Sequence, residues 1–317
     1  MAQRLSARAA PIAALLLRRV ILLVILLALT FLAVDVLPGD AARSTMDPSA
    51  SEEDVAARRA ELGLDQPVAL RFLHWIGGLF TGDFGNSVQG QPIGQLVGQH
   101  FPNTLVLGGI ALVLTIALSL AIGGLAVLRP GRRLDRLMST SSTVLLALPE
   151  FVVANALVVV FALWLQILPA VTVSSSGGAP SSADMLVLPV LALALPQIGW
   201  NARIVRTALT EQLRAPHVDS AILDGLPRRR ILLHHLLPGA APTIATGVAT
   251  SVGMVLGGAV TVETIFNYPG LGSVLVDAIS NRDAPLVAAV VALTGLTITA
   301  VLIASDLLRS WAVGRKP

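Results

Sequence analysis

Cysteine is absent from the sequence, lysine and tyrosine occur once each, at 316 and 268, and charged residues make up only 13% of the 317. Without thiols there are no disulfides and no thiolate metal sites. A P-loop of the form G-x-x-x-x-G-K-[ST] needs a lysine to reach the phosphates. Lys316 stands one residue from the end, so any nucleotide-driven work must be powered by another chain. An average soluble domain carries about 25% charged residues, and the deficit here excludes an ordinary water-soluble domain. Aromatic residues, at 4%, are scarce as well, which leaves the apolar mass to Leu, Val, Ala and Ile and favours long buried helices.

Catalytic signatures are missing too. No H-E-x-x-H, G-x-S-x-G or paired-carboxylate arrangement occurs, so no catalytic residue is expected. The histidines are His74, His100, His217, His234 and His235. The adjacent pair would point about 100° apart on a helix, which is poor geometry for holding one ion, and no metal site is expected. The net charge of +3 and the sequence pI of 10.4 raise the question of nucleic acid. The basic residues are distributed by membrane side and form no single patch, so nucleic acid is not an expected partner.

What the sequence does contain is apolar runs of membrane-spanning length, about 20 residues each. Six stand out: Val20–Leu37, Asn103–Leu128, Met138–Leu168, Met185–Ala202, Gly239–Glu263 and Pro285–Ser305. They predict an all-α, polytopic membrane helix bundle with six transmembrane helices, surrounded by lipid. Pro149, Pro189 and Pro196 lie inside runs and read as kinks, because neighbouring helices can satisfy the freed carbonyls. The first run has Arg18 and Arg19 before it, as a signal peptide would. It is longer than a typical h-region, lacks a clean small-x-small site and ends abruptly at Pro38-Gly39-Asp40, so it reads as a retained helix.

Seventeen of the 22 basic residues fall on one side: Arg4, Arg8, Arg18, Arg19, Arg129, Arg132, Arg133, Arg136, Arg203, Arg206, Arg214, Arg228 to Arg230, Arg309, Arg315 and Lys316. The positive-inside rule makes that side cytoplasmic and, with an even number of crossings, puts both termini there. The expected organisation is a cytoplasmic N-terminus at 1–19, a first helix at 20–37, an extracytoplasmic segment at 38–102, and a five-helix core at 103–317 with a cytoplasmic loop at 203–238.

The extracytoplasmic segment has structure signals of its own. Ser51 with Asp54 three residues on marks a helix start, and Gly63 after Leu62 its stop. Val68 to Phe80 sets Leu70, Leu73, Ile76 and Leu79 roughly along one face, beside His74 and Trp75, for a helix lying on the membrane surface or against the bundle. Eight acidic residues against four arginines make the segment mildly negative, a solvated face or a docking one. The other external connections are Ser174–Ser182, rich in Ser and Gly, and Phe266–Ala284.

Polar residues within the runs are the next candidates. An ionised carboxylate at mid-bilayer costs roughly 2.5 kcal/mol or more unless it faces water or a partner, which directs Glu150 toward the bundle interior. Glu150, Asn155, Gln197 and Asn201 either line a translocation path or make interhelical hydrogen bonds. Gly253 and Gly257 form a small-x-x-x-small pair suited to close helix packing.

Between the fourth and fifth runs lies a stretch too long for a simple turn. From Arg214 to Pro238 it reads as a short helix, a break at Gly225 and a second helix re-entering the membrane at Pro238, with Ala221, Ile222 and Leu226 apolar and Asp219 and Asp224 polar. Such an elbow offers a knob to a cytoplasmic partner.

Here the sequence resembles the membrane subunits of bacterial ABC importers, whose coupling loop follows E-A-A, three residues, G, nine residues, I-x-L-P. Asp219-Ser220-Ala221, Gly225 and His235-Leu236-Leu237-Pro238 keep the spacing, with Asp for Glu, Ser for the first Ala and His for Ile. Six further segments are similar to the first permease subunit of dipeptide/oligopeptide importers: Leu17-Arg18-Arg19, Leu37-Pro38-Gly39-Asp40, Leu62 to Pro67, Gly82 to Ser87, Val262 to Gly272 and Asn281-Arg282-Asp283. The resemblance implies a type I ABC importer permease fold in the bacterial inner membrane. It also implies a second homologous permease, two cytoplasmic ATPase subunits that hold the ATP and Mg, an extracytoplasmic solute-binding protein, and no cofactor on this chain. Asp219, Ser220, Ala221, Gly225, Leu237 and Pro238 would form the ATPase-coupling loop. Tyr268, Pro269, Gly270 and Gly272 match the last external turn, as a gate, a binding-protein contact or a purely structural turn. Peptide is the solute the resemblance implies; nickel or another solute, or an ion-coupled secondary transporter using Glu150, are the alternatives.

Overall fold

The computed structural model describes residues 2–36, 41–44, 46–47, 49–128, 140, 148–173 and 180–313, with backbone alone at 2–16, 41, 44, 80 and 307–313. Its described elements are helical throughout, with one isolated bridge between Asn86 and Pro92. Five helices among the described residues are long and apolar enough to cross a membrane: Leu17–Val36, Ile93–Leu128, Ala183–Gln212, Arg228–Ile265 and Ala284–Asp306. Each contains one of the expected runs or most of it. The remaining run, Met138–Leu168, begins on residues outside the described ones and continues as the shorter apolar helix Glu150–Trp164. Pro149 does not kink that helix as expected. It precedes it, in an extended conformation at φ −60° and ψ 148°, because its ring cannot follow a preceding helical turn without a clash.

The chain forms two compact units, 1–103 with 270–299, and 104–269 with 300–317. The first contains helices α1 (Ala2–Val36), α2 (Ala41–Ser44), α3 (Glu52–Glu61), α4 (Val68–Thr81), the first turns of α5 (Ile93–Leu128), α11 (Leu271–Ser280) and most of α12 (Ala284–Val313). The expected start of α3 is present: Ser51 and Asp54 form a reciprocal capping box, and Gly63 follows the helix at φ +64°. In α4 the structure corrects the buried face. Leu70 and Leu73 are exposed, and Val68, Phe72, Trp75, Ile76 and Leu79 pack inward around Phe31. Steps of three residues lose about 60° each on a helix, so positions 70 and 79 lie on opposite sides. Positions 68, 72, 75, 76 and 79 stay within about 100° of one another. The Phe31 and Phe72 rings meet edge to face with centroids 5.7 Å apart, and Arg71 lies over Phe31 while pairing with Asp35 at 2.7 Å. Of the two placements open for this helix, it takes the one against protein.

The second unit holds the rest of α5, α6 (Glu150–Leu157) running into a π-helical segment at Val158–Trp164, α7 (Val187–Gln212) after the 3₁₀ turn Ala183–Leu186, α8 (Pro216–Leu223), α9 (Arg228–Ile231), a π turn at Leu232–Leu236, and α10 (Leu237–Ile265). Its core gathers Leu107 and Ala111 of α5, Val153 and Leu157 of α6, Leu188, Leu193 and Ile198 of α7, and Val255 and Val262 of α10. Small residues let these helices approach. A Cβ at Gly123 of α5 would sit 2.6 Å from Val205 Cγ1, and one at Gly247 of α10 would sit 2.9 Å from Ile204 Cδ1. At Gly257, one of the pair expected to allow close packing, a side chain would meet open space within this chain. The close approaches on α10 are at Gly239, Gly247 and Gly258, and single-sequence spacing does not distinguish these from their neighbours.

Candidate functional site

The elbow between α7 and α10 forms as its punctuation dictates. Pro216 opens α8 at its first turn, where a missing N–H is harmless. Gly225 then turns the chain at φ +73°, a left-handed conformation that residues with a Cβ resist, with open space around it. Pro227 precedes α9, and Pro238 stands two residues into α10. A proline lacks the N–H that would bind the carbonyl four residues back. The backbone meets this with the wide π turn at Leu232–Leu236, where the Leu237 N–H donates to the Leu232 carbonyl.

Two faces of α8 separate sharply. Val218 and Ala221 are buried in a cluster with Val205, Leu209, Ile231, Leu236 and Ala240, which fixes the elbow to α7 and α10. Asp219, Ser220, Ile222, Leu223 and Asp224 face outward, and Leu223 is 87% exposed. Of the apolar residues flanking Gly225, Ala221 is buried, Leu226 is half-buried and Ile222 is 52% exposed. Of the other loop residues, Leu237 is half-buried and Pro238 exposed. Polar contacts complete the frame: the Arg228 guanidinium donates to the Leu128 carbonyl at 3.1 Å, capping α5, and His217 Nε2 lies 3.4 Å from the His235 carbonyl oxygen.

The four path candidates do not converge. Gln197 and Asn201 are buried in the seam between α7 and α10, where the Asn201 amide donates to the Gln197 carbonyl at 2.9 Å and to Ser251 Oγ at 2.6 Å. Gln197 Oε1 has no hydrogen-bond partner among the described residues. Glu150 sits on the first turn of α6, half-buried, with its side chain 3.4 Å from where a Cβ on Gly258 would lie. A helix N-terminus favours a carboxylate there. Asn155 is exposed and donates to the Phe151 carbonyl at 2.7 Å.

At the other end of α10 a polar contact appears that sequence reading missed. Glu263 is fully buried and accepts a hydrogen bond from Thr104 Oγ1 at 2.7 Å. The Tyr268 N–H donates to the Glu263 carbonyl at 2.8 Å, and Asn267 takes φ +49° between them. Tyr268 is 1% exposed; burial, aided by the Glu263 charge, pushes its phenol up to about 12. Within this chain its ring is a packing element and not a surface contact. Pro269 is half-buried, Gly270 precedes α11 as its cap, and Gly270 and Gly272 are buried.

In the first unit Asp283 ties down the segment around Val88. Its carboxylate accepts from the Val88 N–H at 2.7 Å and the Leu286 N–H at 3.1 Å. Burial nonetheless raises its pKa above 3.8, against the opposing effect of those two bonds. A carboxyl raised on folding binds its proton more readily folded than unfolded. Its contribution is therefore full below 3.8 and is lost as pH rises through the folded value. Asp283→Asn cannot ionise. Melting followed by tryptophan fluorescence at about pH 4 and about pH 8 should show the wild-type advantage over this variant shrinking as pH rises.

The family described as "Binding-protein-dependent transport system inner membrane component" matches residues 114–315, and its N-terminal counterpart matches 12–121. The chain is 36% identical over 266 residues to a probable peptide ABC transporter permease protein, y4tP, of Sinorhizobium fredii, covering 83% of this chain and 85% of the relative. It is 33% identical to the glutathione transport system permease protein GsiC of Salmonella typhimurium, covering 90% and 92%. The oligopeptide transport system permease protein AppB of Bacillus subtilis is 28% identical, covering 88% and 90%. Among solved structures, an inward-facing MetNI methionine ABC transporter matches with a TM-score of 0.58 at 18% identity, covering 70% of this chain and 98% of that one.

Proposed function

Because the chain belongs to the family of binding-protein-dependent transport system inner membrane components, we propose that it is the membrane permease subunit of an ATP-driven importer of peptides. The relatives named above for peptide, oligopeptide and glutathione, itself a tripeptide, support that substrate class. It works with a second permease, two ATPase subunits carrying ATP and Mg, and an extracytoplasmic binding protein. Its termini and the elbow lie on the cytoplasmic side of the bacterial inner membrane.

The observation that carries this reading is the elbow: Val218 and Ala221 hold α8 into the helix core while Leu223 stands out at its tip. An exposed apolar tip on a rigid base seats in a groove of a partner, and the shared cluster passes a displacement of the tip to α7 and α10. ATP-bound closure of the ATPases then moves the elbows together, and the bundle opens to receive solute from the binding protein. Among the other candidate residues, Glu150 and Asn155 are the ones left facing outward or half-buried, and they supply polar surface to the path; Asn201 holds α7 to α10 through Ser251. The turn at Tyr268 to Gly272 closes the outer end, with Glu263 and Thr104 as its anchor.

Uptake of a labelled dipeptide into proteoliposomes tests the reading. It should require the chain, its partner permease, the binding protein, the ATPases and ATP together. Uptake by this chain alone, abolished by an uncoupler, would refute it in favour of ion coupling. Gly225 provides a finer check. A β-branched residue at φ +73° costs about 1–2 kcal/mol, so Gly225→Val should lower uptake roughly fivefold to thirtyfold through the elbow. Gly225→Asn, which tolerates left-handed angles, should retain most of it in the same assay.

A further inference from the structure

The polar face of α7 beyond Ala202 carries a groove that neither the coupling elbow nor the polar path uses. It has a volume of about 440 Å³ and is lined by Arg203, Arg206, Thr207, Thr210, Glu211 and Arg214. Three guanidiniums against one carboxylate leave it with a net charge of +2. Arg203 and Arg214 are exposed, and their side chains have no ion pair or hydrogen bond among the described residues. Thr210 donates its hydroxyl proton to the Arg206 carbonyl at 2.7 Å. Thr207 keeps its hydroxyl proton for a ligand.

Depth decides what reaches this groove. From Ala183 to Ala202 the span carries one charged residue, Asp184, and its other strongly polar side chains, Gln197 and Asn201, are buried; twenty helical residues measure about 30 Å, the thickness of the hydrocarbon core. Arg203 therefore stands at the hydrocarbon edge. Arg206, Thr207 and Thr210 follow within about 10 Å, which is the layer where phospholipid phosphates lie. Guanidinium forks match the geometry of phosphate oxygens, and basic pockets at this level attract anionic headgroups.

We propose that this groove on α7 is a binding site for the phosphodiester headgroup of an anionic phospholipid. Arg203 with Thr207 engages one end of the headgroup, and Arg214 approaches from the aqueous side. The site is independent of which solute the assembly carries.

Native mass spectrometry of the full chain in detergent, titrated with phosphatidylglycerol or phosphatidylcholine, tests the proposal. The wild type should retain phosphatidylglycerol in preference, and Arg203→Gln/Arg214→Gln should lower that retention at least about tenfold without changing retention of phosphatidylcholine. Arg203→Lys/Arg214→Lys, with the charge kept, should hold most of the preference, and monodisperse elution establishes that each variant is folded. Equal retention of the two lipids by the wild type, or unchanged phosphatidylglycerol retention in the glutamine variant, overturns the proposal. Binding of inorganic phosphate with no lipid preference assigns the groove to a soluble anion and overturns the lipid source.

Discussion

Replacing Leu223 by Asp lowers ATP-driven uptake at least roughly tenfold while leaving the chain folded and inserted. Leu223 is 87% exposed and belongs to none of the buried clusters, so its loss removes no internal packing. Whatever it contributes arises when a partner covers it. Burying a leucine side chain is worth about 1.5–3 kcal/mol, and each 1.4 kcal/mol is about tenfold in an equilibrium. A carboxylate at the tip adds a desolvation penalty in the same direction. Ala221→Asp provides the contrast: Ala221 is 3% exposed against α7 and α10, so its replacement reduces the amount of folded protein. Proteoliposome uptake beside membrane protein levels separates the two effects. Normal uptake with Leu223→Asp would remove α8 as the point of coupling.

The second large effect is at Glu263. Glu263→Ala takes the acceptor from the Thr104 hydroxyl, 5% exposed, and leaves a cavity beside Tyr268. A hydrogen bond to a charged group is worth about 1.5–3 kcal/mol, and the cavity adds to that loss. The outer turn is expected to loosen, with a melting temperature lower by several degrees, on the order of 2–4 °C per kcal/mol, and with impaired uptake. Glu263→Gln keeps both the length and an acceptor oxygen and should restore most of both properties. Thr104→Val, which removes the donor and leaves the carboxylate, should fall between them. If Glu263→Ala matched wild type in melting and uptake, the contact would be incidental.

Much of the elbow was legible in the sequence because its punctuation is local. Gly225 and Pro238 each act through their own backbone, and the structure places a left-handed turn at the first and the start of α10 at the second. The Ser51–Asp54 box was readable for the same reason. What was missed depends on residues far apart in the chain. Thr104 and Glu263 are separated by 159 positions, and no spacing rule links them. Gly258 lies one residue from Gly257, and only the neighbouring Glu150 distinguishes the crowded position from the open one. Of the path candidates, Gln197 and Asn201, four residues apart, share a face of α7, whereas Glu150 and Asn155, five apart, lie about 140° from each other on α6. In α4 a three-residue spacing stood in for a helical face and selected Leu70 and Leu73, the two that turn outward.

The absence of cysteine makes the decisive experiment clean, since Leu223→Cys introduces the only thiol in the chain. In the assembled transporter, a short thiol cross-linker at position 223 should join this chain to an ATPase subunit, with a yield that changes between the nucleotide-free and ATP-bound states. Labelling of the same thiol in intact cells by a membrane-impermeant maleimide from outside, with no cross-link to the ATPase in either state, would contradict the account.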